Sequence, residues 1–576
     1  MIERLSEMKN KNYPLYETTE FADFRIMTEN VADKYPDRVA FSFREDPRDE
    51  AVSEVTFDEV RRDVRNIGTA LINMGMRDKN IAIIGEASYK WISAFFAVMS
   101  IGAVSVPIDK ELPAEDIAGI VNKAECAAVI FGSSCEEKLA SVKAALGAVQ
   151  HYISFKDSSF DGAVTLADIA ETGKALYEGG DNSYYDYEID PDKLVSIVFT
   201  SGTTGKGKGV MLSTRNIASD MTQGMYNFLV TDKTMLVLPP HHTFCSTINL
   251  IGHFSQGSTV YISSGLRYIM KELKEQQPKH LLLVPLFVET FYKRIWSSAE
   301  KSGKADALRK LMKVSNGMRK TGIDLRRKLF KEVLDNFGGK LEFIICGGAA
   351  LNQDIIDTFD SLGITILNGY GITECSPLIS CNRNKWQKSG SVGTPIIGEQ
   401  VKIINPDENG EGEIAIKGPN VMLGYYKDPE ATAAAFDEEG YFKTGDYGKL
   451  DEDGWIYITG RLKNLIIFSN GKNVYPEEIE TEISRIPGVN EVVVYAGESK
   501  STPGKEVIVA EIYPDFDSLS AKGIEDCKKY FTDEVKKVNA RMVSYKAVGL
   551  VKIRKEEFIK NTSKKIIRYK IDRTID

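Results

Sequence analysis

One segment of the chain has the composition of a phosphate site: Thr200-Ser201-Gly202-Thr203-Thr204-Gly205-Lys206-Gly207-Lys208-Gly209. It follows an apolar run, Leu194 to Phe199, that reads as a buried strand. Glycine lets backbone N–H groups approach phosphate oxygens closely, the hydroxyls add donors, and the two lysines offset negative charge. A second cationic feature lies near the C-terminus, where Lys546 to Arg573 holds ten basic residues and three acids, on a chain whose net charge is −9. A local excess of this kind on an acidic protein points to a confined polyanion such as a nucleotide or a coenzyme, and the overall charge disfavours a nucleic-acid partner.

The spacing Gly202, Gly207, Lys208 matches GxxxxGK of the P-loop, but the next residue is Gly209, where that motif needs Ser or Thr for magnesium. Val210-Met211-Leu212-Ser213 then begins as a strand, whereas a P-loop opens a helix. A P-loop kinase or NTPase is therefore the weaker reading. Thr200 to Ser213 instead resembles the phosphate loop of the AMP-forming adenylating enzymes, which include acyl-CoA synthetases, peptide-synthetase adenylation domains and luciferases. Four more segments agree in the same order: Asn368-Gly369-Tyr370-Gly371-Ile372-Thr373-Glu374, Tyr441 to Asp446, Tyr457 to Lys463, and Lys564-Lys565-Ile566-Ile567-Arg568. The resemblance spans residues 20 to 570.

The resemblance implies a role for each motif. Thr200 to Lys206 and Lys208 would hold the ATP phosphates. Tyr370 and Gly371, with Asn368, Gly369 and Thr373, would line the adenine and acyl sites, an aromatic face stacking on the base and glycine leaving room beside the carbonyl. Glu374, with Thr200, would hold Mg2+, a hard cation that takes oxygen ligands. Gly348 and Ala349 would pack on the adenine. Asp446 would accept both ribose hydroxyls, with Tyr457 and Arg461 beside the nucleotide and Lys463 as the hinge. Lys565 would offset charge on the pentacoordinate phosphorus. Lys564 stands where the family has glycine, and Lys565 is chosen over it because Ile566 and Arg568 keep the spacing that follows. His242, beside His241, would border the acyl pocket, with Phe244, Ile248, Leu250 and Ile251 as a candidate apolar wall. Ser469 to Pro476 resembles the loop of the thiol tunnel, with Gly471 at its turn.

Positioning these residues needs alternating strands and helices. Phe57 to Met74 has helical spacing, Ile81 to Ile84 reads as a buried strand, Trp91 to Ile101 as an apolar helix, and Val104 to Pro107 as a second strand. Further short strands are expected at Ala128 to Phe131, Met235 to Leu238, Thr259 to Ile262, Leu281 to Val284 and Phe343 to Cys346. After residue 390 short strands among Gly, Asp and Pro imply a β-rich module. The expected class is α/β. A large N-terminal domain, 1–461, has parallel-type sheets, helices and a β-rich submodule at 390–460. A small mobile α+β domain covers 462–576.

Hydrophobic residues at 43% and charged residues at 27% are ordinary for a globular protein. Seven scattered cysteines without a CxxC pair, an N-terminus without an apolar core and the lack of an 18-residue apolar run predict a reduced, cytoplasmic protein without a membrane span. Peripheral membrane contact stays open. The expected activity is that of a fatty acyl-CoA synthetase using ATP, Mg2+ and CoA. An enzyme that loads an acyl carrier protein is the alternative, and a non-catalytic binder on the same fold is disfavoured by the retained Lys208, Glu374, Asp446 and Lys565.

Overall fold

The alternation over residues 57–108 builds the sheet that carries the phosphate segment. The structure, a computed structural model, describes residues 16–200, 207–467, 473–498, 507–560 and 566–575. Thr56 and Glu59 form a capping box that starts the helix Phe57–Asn73, whose apolar face (Val60, Val64, Ile67, Leu71) is buried. Ser88 caps the helix Tyr89–Ser100, which is buried from Trp91 onward. Between and after them run Asn80–Ile84 and Val104–Ile108, parallel neighbours with almost wholly buried side chains. Apolar residues on successive positions are what a strand covered on both faces requires.

These strands sit inside an eight-stranded sheet. Its order is Gly424–Tyr425, Lys208–Ser213, Leu194–Thr200, Val104–Ile108, Asn80–Ile84, Ala128–Phe131, His151–Ser154, Ala163–Thr165. Only Gly424–Tyr425 and Lys208–Ser213 lie at the antiparallel end; from Leu194–Thr200 onward the recorded pairings are parallel. A second sheet runs His280–Leu283, Phe343–Cys346, Thr365–Gly371 in parallel, then adds Leu378–Cys381 and Thr394–Pro395 antiparallel. A third joins Lys233–Leu236, Thr259–Ile262, Val39–Phe43 and Ser53–Thr56. The class is mixed α/β, as the sequence predicts. Strand positions at Ala128–Phe131, Thr259–Ile262 and Phe343–Cys346 agree residue for residue, while Lys233–Leu236 begins two residues early.

By its internal contacts the chain divides into two units: 1–400 with 416–442 and 453–455, and 401–415 with 443–452 and 456–576. Described by itself, the second has a four-stranded sheet in the order Gln400–Ile404, Gly412–Lys417, Phe442–Leu450, Ile456–Arg461. It also has a three-stranded sheet, Val489–Gly497, Val507–Pro514 and Leu550–Ile553, packed by the helices Pro476–Ser484 and Cys527–Asn539 around Ile479, Ile483, Phe531 and Val535. All seven cysteines are free thiols, and all but Cys527 are buried. No helix among the described residues is long and apolar enough to cross a membrane.

Candidate active site

The phosphate segment is held between two strands. Leu194–Thr200 and Lys208–Ser213 pair antiparallel, with Thr200 opposite Lys208. The two strands on either side of the segment pair as a hairpin, and the strand that follows separates it from a P-loop, where a helix would follow. Ser213 then caps the helix Thr214–Met225 through a box with Asn216. Ser201, Gly202, Thr203, Thr204, Gly205 and Lys206 lie outside the described residues, as do Gly471, Lys564 and Lys565.

Lys208 and Glu374, 166 positions apart, meet on one side chain. The Lys208 ammonium stands over the Tyr425 ring, 4.3 Å from its centroid. The Tyr425 hydroxyl donates to Glu374 Oε1 at 2.9 Å. Tyr425 is in place because Gly424–Tyr425 adds to the hairpin edge, with Tyr425 opposite Val210 and Gly424 opposite Met211. The Met422 N–H donates to the Glu374 carbonyl at 2.8 Å, so backbone and side chain both tie this edge to Glu374. Burial, followed by the Glu374 charge, pushes the Tyr425 hydroxyl well above its ordinary pKa, so it stays a proton donor.

Glu374 follows the strand Thr365–Gly371. That strand has a bulge between Tyr370 and Gly371 where it pairs with Leu378–Cys381. A side chain on Gly371 would collide with the Pro377 carbonyl, whose oxygen accepts from the Ile372 N–H at 2.9 Å. The bare position is therefore filled by the chain's own backbone rather than left open. Tyr370 is buried. Asp220, fully buried on the helix after the hairpin, accepts from the Leu378 N–H at 2.9 Å and from Asn420 Nδ2 at 3.3 Å. It pins the return strand, and burial raises its carboxyl pKa well above the ordinary range.

Gly347, Gly348 and Ala349 leave the end of Phe343–Cys346, with Gly348 at φ 87°. A Cβ on Gly347 would lie 3.3 Å from the Gly369 carbonyl oxygen and 3.5 Å from the Phe244 ring. This turn, the Asn368–Gly371 strand and Phe244 therefore meet at the carboxyl ends of parallel strands, where open α/β sheets bind ligands. Phe244 opens a π-helix, Phe244–Gly252, a distortion found often at functional sites. Ile248, Leu250 and Ile251 on it are fully buried, so only the half-buried Phe244 keeps an accessible face among the four candidate wall residues. His242 Nε2 is 3.1 Å from His241 Nε2, and His241 faces the buried Asp109 at 3.4 Å.

Within the second unit, Asp446 and Arg461 are directly opposed on Phe442–Leu450 and Ile456–Arg461. Arg461 Nε meets Asp446 Oδ1 at 2.8 Å, with the Asp446 side chain 3% exposed and that of Arg461 55% exposed. Thr444 Oγ1 accepts from the Asp446 N–H at 3.0 Å. Tyr457 is not brought to this pair. It lies four residues up the strand, about 13 Å away, and its hydroxyl donates to Asp451 at 3.3 Å. Lys463 is exposed in the turn Leu462–Asn464. Four of the ten basic residues near the C-terminus are tied within this unit: Lys546 to Glu478 at 2.6 Å, Arg554 to Glu511 at 2.7 Å, Lys560 to Glu491, and Arg568 to Glu480 at 2.5 Å. Those four serve packing, which narrows the polyanion reading of the cationic stretch.

The profile of the family described as "AMP-binding enzyme" matches residues 28–426, more than half of the chain. The chain belongs to the AMP-binding enzyme family. The match ends one residue after Tyr425, so it takes in the whole Lys208–Tyr425–Glu374 group, while Asp446, Arg461, Lys463 and Lys565 lie beyond it. A chloroplastic long-chain-fatty-acid–[acyl-carrier-protein] ligase of Arabidopsis thaliana is 28% identical over 537 residues, covering 80% of this chain and 73% of the relative. Long-chain-fatty-acid–CoA ligase 1 of Cavia porcellus is 29% identical over 487 residues, covering 79% and 68%. In fold, this AMP-binding enzyme is similar to ATP-bound MatB from Rhodopseudomonas palustris, with a TM-score of 0.74, 24% identity, and 95% and 98% of the two chains covered.

Sequence reasoning missed Tyr425. Its only signal is the Gly424-Tyr425-Tyr426 run, and a two-residue strand shows no periodicity. It also missed a fully buried polar chain behind the π-helix. Thr231 Oγ1 is 2.6 Å from His280 Nδ1, His280 Nε2 is 2.5 Å from His253 Nε2, and His253 Nδ1 is 3.0 Å from the Ile248 carbonyl. In one tautomer set His280 donates to His253 and His253 to the carbonyl. Both rings are then neutral. Burial pushes His253 down to about 4 and His280 well below its ordinary value, the latter also by the nearness of His253.

Proposed function

We propose that the protein is an ATP-dependent acid–thiol ligase. It activates a carboxylic acid, of the medium- or long-chain fatty acid class, as acyl-AMP with release of pyrophosphate, and then passes the acyl group to CoA. The observation that carries this reading is the Lys208–Tyr425–Glu374 group beside the hairpin strands on either side of the phosphate segment. One ring fixes a cation suited to phosphate and a carboxylate suited to a hard metal ion. The names of the Arabidopsis and Cavia relatives support the acyl class.

In this reading Thr200 to Lys206 and Lys208 hold the triphosphate through hydroxyls, amides and ammonium. Asn368, Gly369, Tyr370, Gly371, Thr373, Gly348 and Ala349 form the adenine and acyl floor, and His242 borders the acyl group. Asp446, oriented by its pairing with Arg461, takes the ribose diol, with Tyr457 on the Arg461 strand. Thr200 and Glu374 are oxygen donors, and magnesium takes one or two such ligands alongside phosphates and water. Bound there, the ion would neutralise charge on the phosphates.

A carboxylate oxygen attacks the α-phosphorus, the bond to the β-phosphate oxygen breaks, and pyrophosphate leaves. Lys565 offsets the charge that grows on the phosphorus. In the second step the CoA thiol, passing the loop at Gly471, gives its proton to water and attacks the acyl carbon, the acyl C–O bond to the phosphate breaks, and AMP leaves. Residues 1–461 act as the large domain and 462–576 as the lid, which pivots at Lys463 between the steps. The working compartment is cytoplasmic.

A second reading, transfer to an acyl carrier protein, is supported by the name of the Arabidopsis relative. Incubation with ATP, Mg2+ and a panel of carboxylic acids, with and without CoA, tests both. AMP and pyrophosphate that depend on a fatty acid, with thioester formed on CoA, are expected. Acyl-AMP that reacts with carrier protein and ignores CoA would select the second reading, and ADP as product would refute both.

A further inference from the structure

The helical segment from Pro285 to Lys331 carries thirteen basic residues against four acids, a local excess matching the −9 of the whole chain in size and opposite in sign. Some of these cations build the fold. Arg309 pairs with Asp306 at 2.9 Å and lies over the Trp296 ring, and Arg319 pairs with Asp360 at 2.6 Å. The helix Ala305–Lys320 sets Leu308, Leu311 and Met312 against the core, and Asn316 donates to Ser361 at 2.8 Å.

The opposite face has a different composition. At helical spacing it presents Lys310, Lys313, Val314, Gly317 and Lys320, all exposed. Among the described residues none of these three lysines has an ion pair. No Asp or Glu occurs between Ala307 and Ile323. Val314 is 57% exposed and Ile323, just past the helix, is 51% exposed. Val314 therefore stands out between unpaired lysines on a cationic face, and Ile323 stands out in the turn that follows it, a combination suited to the charged level of an anionic lipid surface.

We propose that this face docks the protein on an anionic lipid surface. Lysine stems reach sideways, so their ammonium groups sit at the phosphate level while Val314 and Ile323 enter the acyl boundary. The charge fixes the sign of the surface. The protruding valine and isoleucine favour lipid over an acidic protein, which would leave them in water unless it offered a matching cavity. The surface is distinct from the strand ends that hold Lys208 and Glu374, and docking needs neither turnover nor a particular acyl acceptor.

Sedimentation of the full chain with vesicles tests this. Vesicles of phosphatidylcholine alone are compared with vesicles that also contain phosphatidylglycerol, at low and high salt. Salt-sensitive binding to the anionic vesicles is expected. Combined Lys310→Gln, Lys313→Gln and Lys320→Gln should weaken it about 100-fold. The matching Lys→Arg set should keep it, which excludes misfolding as the cause. Val314→Ser with Ile323→Ser should reduce the binding that survives high salt. Equal sedimentation with both vesicle types, or a Gln set that binds like the parent, would overturn the proposal. So would lysine-dependent capture of an acidic carrier protein without vesicle binding.

Discussion

Replacing Tyr425 by Phe removes one oxygen and leaves the ring under Lys208. The lost contact is a 2.9 Å hydrogen bond to a carboxylate, which is charge-assisted and worth about 1.5–3 kcal/mol. Glu374 is only half-buried, so water can replace the donor and the fold loses about 1 kcal/mol or less. Water cannot hold the carboxylate in one orientation. If orientation of Glu374 is what the hydroxyl supplies, acid-dependent pyrophosphate release should lose about 10- to 100-fold in kcat/KM for ATP, from the same energy at 1.4 kcal/mol per decade. The Mg2+ concentration needed for half-maximal rate should rise with it. Tyr425→Leu removes the ring as well and should cost a further factor of about 3, from a cation–π contact of about 0.5–1 kcal/mol. Thioester formation from supplied acyl-AMP should change little, because that step has no triphosphate to hold. An unchanged kcat/KM in Tyr425→Phe, or equal losses in both half-reactions, would refute the reasoning.

Further tests address other parts of the reading. Lys565→Ala should abolish acyl-AMP formation and largely spare thioester formation from supplied acyl-AMP, whereas Lys564→Ala should spare both; the reverse pattern would move the role to Lys564. Arg461→Gln should raise KM for ATP about 10-fold by freeing the Asp446 carboxylate it pairs with, read by initial rates at varied ATP. Asp220 has a raised carboxyl pKa, so the folded state holds its proton above the pH where the unfolded chain loses it, and stability falls as pH rises. Asp220→Asn keeps the acceptor for Leu378 and should melt higher than the parent at pH 8, with a smaller gain at pH 5. His253 is depressed to about 4, so the unfolded state takes up a proton first as pH falls below its ordinary value. That withdraws stability by about 2 kcal/mol at pH 5, with His280 adding in the same direction. Melting curves of His253→Gln should fall less steeply between pH 6.5 and pH 5 than those of the parent.

The readable parts of the sequence were those where one stretch of chain meets its own physical need. Leu194 to Phe199 is apolar because a central strand is covered on both faces, and the glycine-rich segment after it announces a close backbone approach to an anion. The absence of Ser or Thr at position 209 and the apolar start of Val210 to Leu212 already separated the segment from a P-loop. The helix Ala305–Lys320 is as legible by spacing as Phe57–Asn73, and the charge excess around it can be counted in the sequence, whereas the ion pairs that hold four basic residues of the C-terminal stretch cannot.

By itself, then, the sequence determined the alternation of strand and helix, the phosphate segment, and the types of side chain available to it. Only the tertiary structure decided which of those side chains meet. Glu374 gains its donor from Tyr425, 51 positions away, because a two-residue strand adds to the edge of the phosphate hairpin. Asp446 faces Arg461, and Tyr457 does not, because strand register allots each residue a single opposite partner. His253 and His280 share a hydrogen bond because two separate segments bury them together. Local periodicity encodes which face of an element is apolar, whereas edge pairing, register and the meeting of buried polar groups depend on how whole elements pack. Those relations are fixed by contacts that no short window of sequence contains.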